Sequence, residues 1–175
     1  MPPRKAPRIP PTPPAASRPH MPGYGLKDAN SGTGLLPWSW ALERLTKSHN
    51  YLIATTRPDG RPHIMIVWGL WFHDAFSFST GRDSRKARNL AANPHCVVTT
   101  ENPAEAVILE GVTEELPVLK DPALLKSYIL AYKKKYDYQM DGSEGNFYAV
   151  RPRVVFGLLE KDFLGATTRW QFPDG

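Results

Sequence analysis

The sequence predicts a mainly β domain of the α+β class, a small barrel of about six antiparallel strands with a few flanking helices. Three observations carry this prediction. Short apolar segments with strand periodicity recur along the chain and are separated by turn residues. Only a few stretches repeat their apolar residues at the helical spacing. A chain of 175 residues that is 41% hydrophobic is long enough to bury one core.

We expect ordered structure to begin near Leu35, with a helix. Pro37 suits the first turn of a helix, because proline has no backbone N–H to leave unpaired and its φ angle is already helical. Trp38, Leu42 and Leu45 recur on one helical face, so this helix should pack on the rest of the domain through that face.

A β-hairpin should follow this helix. The strand segments YLIATT and RPHIMIVWGLWF are joined by RPDG, whose Pro-Asp-Gly sequence is typical of a tight turn. In the second strand both alternating sets of side chains are apolar, one with Ile64 and Ile66 and the other with Met65 and Val67. An antiparallel strand with one face in water would alternate between apolar and polar. We therefore expect both faces of this strand to be covered.

The rest of the chain continues the antiparallel pattern. The turn sequence HD precedes the strand AFSFST, and a helix over residues 84–92 stops at the sequence NP. The strands HCVVTTE and AVILEGVTEE come next. A helix then begins after Asp121, with Leu125, Tyr128 and Tyr132 on one face. The segment FYAVRPRVVFGLLE and a short run near the C terminus supply the last strands.

Residues 1–34 form a proline-rich, basic N-terminal tail that we expect to be extended or disordered, and residues 35–175 form the folded domain. Nine of the eighteen prolines lie within residues 1–22. The first 26 residues carry four basic side chains and no acid, and the rest of the chain carries eighteen basic against seventeen acidic side chains. The positive charge thus belongs largely to the tail, and nucleic-acid binding by the domain is not expected.

Composition and motifs exclude several classes of protein. No apolar run approaches the ~20 residues that a membrane-spanning helix needs, and no apolar signal segment is visible. The single cysteine, Cys96, forbids an internal disulfide, fits a reducing cytoplasm and lies in an apolar setting that favours a buried structural thiol. The five histidines lack metal-ligand spacing, and known nucleophile, zinc-protease and phosphate-loop motifs are missing. A bound cofactor would therefore have to supply the chemistry of an enzyme.

The strongest signal for a binding site is the stretch STGRDSRKARNLAANP, residues 79–94. Thr80 ends a strand, and Ser84 is a favourable N-cap for a helix that begins with Arg85 and Lys86. Cations are unfavourable in the first turn of a helix, because the macrodipole is already positive there. An anion bound at the free backbone N–H groups would explain them. The alternative is a solvated helix with ordinary surface charges, and the spacing alone leaves both interpretations open.

This stretch, preceded by TTRPDGRPHIMIVWGLW, resembles the pyridoxamine 5′-phosphate oxidase-like superfamily of flavin-binding split barrels. It is most similar to the branch that uses the deazaflavin coenzyme F420. The resemblance covers residues 36–113 well and the C-terminal third loosely. It implies a split β-barrel, a homodimer with cofactor sites between its subunits, and a flavin- or deazaflavin-binding role for residues 35–175. A strand that is apolar on both sides would then face the barrel on one side and the partner on the other.

The resemblance also implies which residues form the cofactor site. The cofactor phosphate would be held by hydroxyl and cationic side chains at the strand end and helix start: Ser79, Thr80, Ser84, Arg85 and Lys86. The tricyclic ring would lie along residues 63–68, against four apolar side chains: Met65, Ile66, Val67 and Trp68. The alternative for these apolar side chains is simple packing in the core or in a dimer interface.

Two departures from the family pattern weigh against vitamin B6 oxidation. Flavin-dependent oxidases of the family have a glutamine where this chain has Ala106, and the Arg-and-Trp pattern that grips pyridoxamine phosphate is not convincing in ATTRWQFPDG. We therefore expect a cytoplasmic, homodimeric oxidoreductase that transfers hydride between reduced F420 and an unidentified small organic acceptor. The alternatives are an FMN-dependent oxidoreductase on the same barrel and a non-catalytic flavin- or haem-binding protein. No residue can be assigned as a general acid.

The choice of cofactor leads to one more expectation. F420 carries an oligoglutamate chain with several negative charges that FMN lacks, so a protein that uses it should offer cations outside the phosphate pocket. Candidates are Arg57 and Arg61 beside the hairpin turn, Arg88 one helical turn beyond Arg85, and the three lysines of residues 133–135.

Overall fold

The computed structural model describes residues 13–31, 33–116, 121–140 and 145–173, which form one antiparallel sheet and four α-helices. The strands are β1 (Ala15–Ser17), β2 (Tyr51–Thr56), β3 (Pro62–Val67), β4 (Gly69–Phe72), β5 (Ala75–Thr80), β6 (His95–Thr100), β7 (Glu105–Glu115), β8 (Asn146–Leu159) and β9 (Thr168–Gln171). The helices are α1 (Trp38–Lys47), α2 (Arg85–Ala92), α3 (Pro122–Tyr136) and α4 (Phe163–Ala166), the last preceded by a 3₁₀ turn over Glu160–Asp162. No helix in the described ranges is long and apolar enough to cross a membrane.

The strands close into a barrel of six positions. β2 pairs with β3 and β6, β6 with β7, β7 with β8, β8 with β5, and β5 with β4. Only Trp68 separates β3 from β4, so the ring closes through the covalent chain at this residue and not through hydrogen bonds. The predicted split barrel of about six antiparallel strands is confirmed, and β1 and β9 extend the sheet beyond this ring through β8.

The core lies inside this ring. Tyr51 on β2 and Phe76 and Phe78 on β5 are fully buried there, together with apolar side chains of β6 and β7. A second apolar cluster, which includes Tyr128 and Phe147, lies between α3 and the barrel. Burial of each large apolar side chain is worth about 1.5–3 kcal/mol, so these clusters hold the helices against the sheet.

The predicted helix starts and turns are confirmed with small shifts. Pro37 is the N-cap of α1, one residue earlier than a first-turn position. Ser84 caps α2 and Asp121 caps α3, each accepting backbone N–H hydrogen bonds with its side chain. His73 and Asp74 both adopt the left-handed backbone conformation, with φ angles of 49° and 57°. This geometry matches the two-residue turn that joins twisted antiparallel strands, here β4 and β5.

The long second strand of the hairpin differs from its prediction in two ways. It is broken at Trp68 into β3 and β4, and Gly69 permits close packing there, because a Cβ atom would lie 2.3 Å from the ring of Phe76. The expectation that both faces are covered is not met within one chain. Ile64 and Ile66 on the outer face are 56% and 65% exposed.

The N-terminal tail is more ordered than the sequence predicts from residue 13 onward. β1 pairs with β9, so an extended segment is held in the sheet. The guanidinium of Arg18 donates to four backbone carbonyls, including those of Gly165 at 2.7 Å and Thr167 at 2.8 Å. Ordered structure therefore begins upstream of Leu35, which corrects that expectation. Residues 1–12 of the predicted tail lie outside the described residues.

Candidate cofactor site

The end of β5 and the start of α2 bring two hydroxyl groups together. Thr80, preceded by the half-buried Ser79, donates to Oγ of Ser84 at 3.1 Å, and the backbone N–H of Ala87 donates to the same oxygen at 3.1 Å. Because Ser84 Oγ accepts both bonds, its own hydrogen is left to donate to a ligand. Gly145 lets the start of β8 pack here, since a Cβ atom on it would collide with the carbonyl of Thr80.

Two cations occupy the first turn of α2, where no acidic side chain accompanies them. Arg85 is exposed. Lys86 is half-buried, makes no hydrogen bond or ion pair with any described residue, and has a pKa lowered by burial. The first backbone N–H groups of the helix also have no intrahelical partner. A buried charge without a partner is unfavourable. A bound anion would pair with Lys86 and would also accept hydrogen bonds from the unpaired N–H groups of the helix.

The turn between β2 and β3 brings further charge to this region. Arg57 is half-buried, and its Nε has no hydrogen-bond partner among the described residues. Arg61, in contrast, bonds to the carboxylate of Asp59 at 2.7 and 3.1 Å. The pKa of Asp59 is lowered mainly by these bonds and further by Arg57 and Arg85, so the turn lies near the start of α2. The two arginines look equivalent in the sequence, and only Arg57 keeps an uncompensated charge.

His63 on β3 lies next to this group of positive side chains. Its Nδ1 lies 3.4 Å from Oγ1 of Thr55, which in turn accepts a hydrogen bond from Nδ2 of Asn89 at 2.9 Å. The pKa of His63 is lowered first by burial and then by three nearby cations: Arg57, Lys86 and Arg85. We call Arg57, Arg85 and Lys86, which adjoin His63, the cationic cluster. It lies beside the hydroxyls of β5 and α2.

Sequence reasoning missed Thr55 and Asn89. Both are buried, at 3% and 0% exposure, and their hydrogen bond ties α2 to β2. The signal that could have found Asn89 is its position one helical turn after Arg85, next to Leu90 on the apolar face of α2. A polar residue on the buried face of a helix needs a hydrogen-bond partner, and a strand threonine is a suitable one.

The predicted ring-binding residues on β3 divide between two faces. Met65 shares the face of His63 and is 47% exposed, whereas Ile66 points to the outer face and is 65% exposed. Trp68, at the strand break, is 40% exposed. Val67 is only 7% exposed and packs in the barrel core. Of the four predicted residues, Met65, Ile66 and Trp68 are therefore exposed enough for a ligand or partner to cover, with Met65 and Ile66 on opposite faces of the strand.

Aromatic and polar contacts fix the chain at the end of β3. The ring of Trp68 stacks on Tyr136, with ring centroids 4.8 Å apart. The hydroxyl of Tyr136 accepts from the backbone N–H of Gly69 at 2.8 Å and lies 2.8 Å from its carbonyl. Lys135 donates to the hydroxyl of Tyr51 at 2.6 Å and to the carbonyl of Gly69 at 3.1 Å. Helix α3 thus holds the chain at the point where β3 passes into β4.

The cations outside the cluster are either exposed to solvent or bonded within the protein. Arg82 and Arg88 are exposed, make no ion pair with the described residues, and line a cavity of about 280 Å³ between α2 and the strands β7 and β8. Lys133 and Lys134 are exposed at the end of α3. The side chain of Lys135 points toward the barrel and donates to Tyr51. Its charge is therefore not available to the oligoglutamate chain, contrary to what the three consecutive lysines had suggested.

The site offers charge and positioning rather than a reactive protein nucleophile. Cys96 is 6% exposed, and burial raises the pKa of its thiol to about 12, which keeps it protonated at neutral pH. Within the described ranges no group of three His, Cys, Asp or Glu side chains is arranged to hold a metal ion. The arrangement can bind an anionic group at the cationic cluster and place an apolar ring along β3.

Comparison with known proteins decides the family. The family model described as pyridoxamine 5′-phosphate oxidase matches residues 41–158, which is more than half of the chain. The chain belongs to the pyridoxamine 5′-phosphate oxidase family. This is a family of flavin-binding oxidoreductases, and the match includes the hairpin, strand β3 and the start of α2.

Individual relatives agree with this assignment. The pyridoxine/pyridoxamine 5′-phosphate oxidase of Pseudomonas paraeruginosa is 32% identical over 138 residues, covering 75% of this chain and 59% of the relative, so the chain spans about three-fifths of that protein's length. A solved F420 reductase is 24% identical over 65% of this chain and 93% of its own, with a TM-score of 0.52. A FAD-binding protein from Mesorhizobium loti is 17% identical over 77% and 94%, with a TM-score of 0.54. At these identities the solved structures show a shared split-barrel fold.

The residues present fit the phosphate of a flavin-type cofactor. Arg57 Nε is a buried donor without a partner, Lys86 is a half-buried cation without an acceptor, and Ser84 retains a free hydroxyl hydrogen. A phosphate offers several acceptor oxygens and a negative charge, which would satisfy all three at once. Hydrogen bonds to a charged group are the strong ones, so this part of the site should dominate the affinity.

Proposed function

We propose that this protein is an F420-dependent oxidoreductase that transfers hydride between the reduced deazaflavin and a small organic acceptor. The observation that carries the proposal is the distribution of unpaired cations. The cationic cluster suits one phosphate, and Arg82 before α2 and Arg88 on it add positive charge without an ion pair to the described residues, although Glu114, paired with Arg151, and Glu115 line the same cavity. F420, with a phosphate followed by an oligoglutamate chain, can bind both the cationic cluster and these additional cations. FMN, with a single terminal phosphate, can bind only the cationic cluster.

In this proposal the chain contributes binding and orientation. The hydroxyl of Ser84, the first N–H groups of α2 and the cationic cluster hold the phosphate, while Met65 and Trp68 flank the ring. When bound, the deazaflavin supplies the hydride, and the carbon in place of the flavin's central nitrogen disfavours one-electron chemistry with oxygen. Fixing a donor and an acceptor at contact distance can lower the barrier by about 7–11 kcal/mol, so no protein acid or base is required.

We also propose that a second copy of this chain covers β3 and completes the cofactor site. Within the described residues β3 pairs only with β2, and its outer side chains Ile64 and Ile66 are more than half exposed. An exposed apolar edge strand is a template for association, and covering it with the same chain gives a closed, symmetric assembly. A ring bound along Met65 and Trp68 would then lie between the two subunits.

The dimer proposal is tested by mass measurement in solution. Light scattering after gel filtration should give a dimer for the natural chain and a monomer for Ile66→Glu, because the buried charge would be unpaired at the interface. The monomeric variant should also bind the cofactor more weakly. A natural chain that is monomeric and yet binds cofactor tightly would contradict the proposal.

The cofactor proposal is tested by two fluorescence titrations, with F420 and with FMN, each at low and high salt. F420 should bind more tightly at low salt and lose more affinity on salt addition, because its additional carboxylates are screened at the protein surface. The double variant Arg82→Gln/Arg88→Gln should reduce the difference between F420 and FMN in affinity and in salt dependence. The double variant Lys133→Gln/Lys134→Gln on α3 is the matched control. Tighter binding of FMN under both conditions would overturn the F420 proposal.

The second candidate is an FMN-dependent oxidoreductase, which the 32% identity to a pyridoxine/pyridoxamine 5′-phosphate oxidase favours. We propose that pyridoxamine phosphate is a poor substrate for this chain. Trp170, the tryptophan of the C-terminal Arg-and-Trp sequence, is 1% exposed and packs edge-on against Trp38, with ring centroids 5.6 Å apart, which argues against its contacting a ligand. Oxidase assays with pyridoxamine 5′-phosphate and FMN should therefore show no turnover, and measurable turnover would replace the F420 proposal with this one.

A further inference from the structure

His63 occupies a position from which it can respond to the charge of a bound ligand. It lies on β3 opposite Thr55 of β2, on the face that also carries Met65. The half-buried ring of His63 is close to cations from two other elements, Arg57 of the hairpin turn and the Arg85-Lys86 pair of α2. None of these neighbours is an acid.

The hydrogen bonds around His63 allow either protonation state. Asn89 donates to Oγ1 of Thr55, and the hydroxyl hydrogen of Thr55 can go either to Nδ1 of His63 or to the His63 backbone carbonyl, 3.5 Å away. The distance between Thr55 Oγ1 and His63 Nδ1 is 3.4 Å. Thr55 can donate to Nδ1 of the neutral ring, and it can accept from the N–H of the imidazolium. In both states Nε2 carries a hydrogen and can donate to an anion.

The surrounding charges favour the neutral ring while the site holds no anion. Burial and then Arg57, Lys86 and Arg85 lower the pKa of His63. The carboxylate that could oppose them, Asp59, is exposed and bonded to Arg61, so it compensates little of this positive charge. An unperturbed histidine has a pKa of about 6.5, so His63 is neutral at pH 7 in the free protein.

We propose that His63 is a proton-coupled phosphate ligand, which is neutral in the free site and takes up one proton from solvent when an anionic phosphate group fills the cationic cluster. The proposal rests on the proposed cofactor site and adds a specific role for one of its residues. The phosphate offsets the charge of the cations that keep the ring neutral and offers an acceptor for Nε2–H. Protonation then adds a charge-assisted hydrogen bond to the phosphate.

Linkage gives the direction of the pH dependence. If binding takes up a proton, affinity for the phosphate-bearing ligand must fall as pH rises through the pKa that His63 has in the complex. Full coupling changes affinity by about tenfold per pH unit, so we expect a loss of about three- to tenfold between pH 6.5 and pH 8. The terminal phosphate of FMN ionises near pH 6, which acts in the opposite direction and is the same for every variant, whereas a phosphate esterified on both sides, as in F420, has no such ionisation.

The test is isothermal titration calorimetry of the full chain at pH 7, in several buffers with different ionisation enthalpies. FMN is the probe with a phosphate dianion, riboflavin is the matched probe without it, and inorganic phosphate is the minimal ligand. FMN should bind with a net uptake of up to about one proton, inorganic phosphate with a smaller net uptake because part of it must lose a proton to bind as the dianion at pH 7, and riboflavin with none. His63→Gln should bind FMN without proton uptake and with a flatter pH profile, whereas the exposed His20→Gln should behave as the natural chain does.

The outcomes separate this inference from the proposed site. Binding of FMN without proton uptake, or uptake that persists in His63→Gln, would overturn the role of His63 and leave the cofactor site intact. Failure of both FMN and phosphate to bind the folded natural chain would overturn the site and this inference together. Uptake that disappears only in His63→Gln would establish the coupling, and circular dichroism of that variant would verify that its fold is unchanged.

Discussion

Lys86 and Lys135 are both half-buried lysines, yet their surroundings are opposite. Burial lowers the pKa of both, to about 8 for Lys135. Lys135 donates to the hydroxyl of Tyr51 and the carbonyl of Gly69 and lies against two aromatic rings. Lys86 makes no hydrogen bond or ion pair with any described residue. A partly buried cation that has its acceptors stabilises the fold, whereas one without acceptors indicates a ligand-binding site.

Two arginines repeat the contrast. Arg18 donates to four backbone carbonyls and holds the N-terminal tail on the end of the domain. Arg57 has a buried Nε without a partner and lies within the cationic cluster. Replacing a satisfied cation should therefore cost stability, and replacing an unsatisfied one should cost ligand affinity. The following predictions test this division, from the largest expected effect to the smallest.

Arg18→Ala should lower the free energy of unfolding by about 3 kcal/mol, because two of its four carbonyl partners are partly buried and would lose a charged donor. Urea denaturation followed by circular dichroism measures this change. Arg57→Ala is the matched variant and should leave the midpoint nearly unchanged. Equal stability of Arg18→Ala and the natural chain would show that the tail is not held by this side chain.

Lys86→Ala and Arg85→Ala should each weaken cofactor binding by about 1.5–3 kcal/mol, the value of a charge-assisted contact, while the fold stays intact. Removing a cation from the first turn of α2 should, if anything, stabilise the helix. Fluorescence titration of the cofactor gives the affinity, and the exposed Lys134→Ala is the control. If neither variant binds more weakly, the assignment of the phosphate site is wrong.

Tyr136→Phe should destabilise the protein by about 1–2 kcal/mol, because the backbone N–H of Gly69 loses its acceptor while the ring stack with Trp68 is kept. Thermal unfolding measures the loss, and tryptophan fluorescence reports whether Trp68 has moved. Affinity for inorganic phosphate should not change, since the cationic cluster lies at the other end of β3. If Tyr136→Phe binds inorganic phosphate more weakly and keeps its full stability, then Tyr136 belongs to the phosphate site and has no structural role.

The smallest effect concerns pH. The pKa of Lys135 is about 8 in the folded chain, against 10.5 for an unperturbed lysine, so the unfolded chain binds more protons between these values. Titration of Lys135 therefore adds nothing to the free energy of unfolding below pH 8, and it increases that free energy as the pH rises above 8. The raised pKa values of Cys96 and Tyr51 oppose this rise from about pH 9 onward.

The comparison variant for this pH effect is Lys135→Met. Chemical denaturation between pH 8 and pH 9 should show stability rising more steeply in the natural chain than in the variant, which lacks the titrating group. Identical slopes would mean that Lys135 titrates as an exposed lysine does.

Local signals in the sequence were sufficient to predict most of the barrel and the cap of α2. The segment YLIATT is β2 at the predicted residues, and Ser84 caps α2 as its side chain suggested. The break at Trp68 could not be read from an uninterrupted apolar run, because it depends on β4 pairing with β5 while β3 pairs with β2. The strand at Ala15–Ser17 was missed for a similar reason, since a proline-rich segment becomes a strand only when β9 offers it an edge.

What the sequence determined by itself are the features that depend on neighbours in the chain: strand periodicity, turns such as His73-Asp74, the helix caps, and the pair of cations at the start of α2. These follow from backbone sterics and the helix dipole, which act over a few residues. Only the tertiary structure decided which cations keep an uncompensated charge. Lys135 finds its acceptors on β2 and at Gly69, far away in the sequence, whereas Lys86 finds none in the described part of the chain. Arg61 pairs with Asp59 of its own turn, and Arg57 is left with a buried Nε that has no partner among the described residues. Burial and pairing of charge are properties of the folded packing.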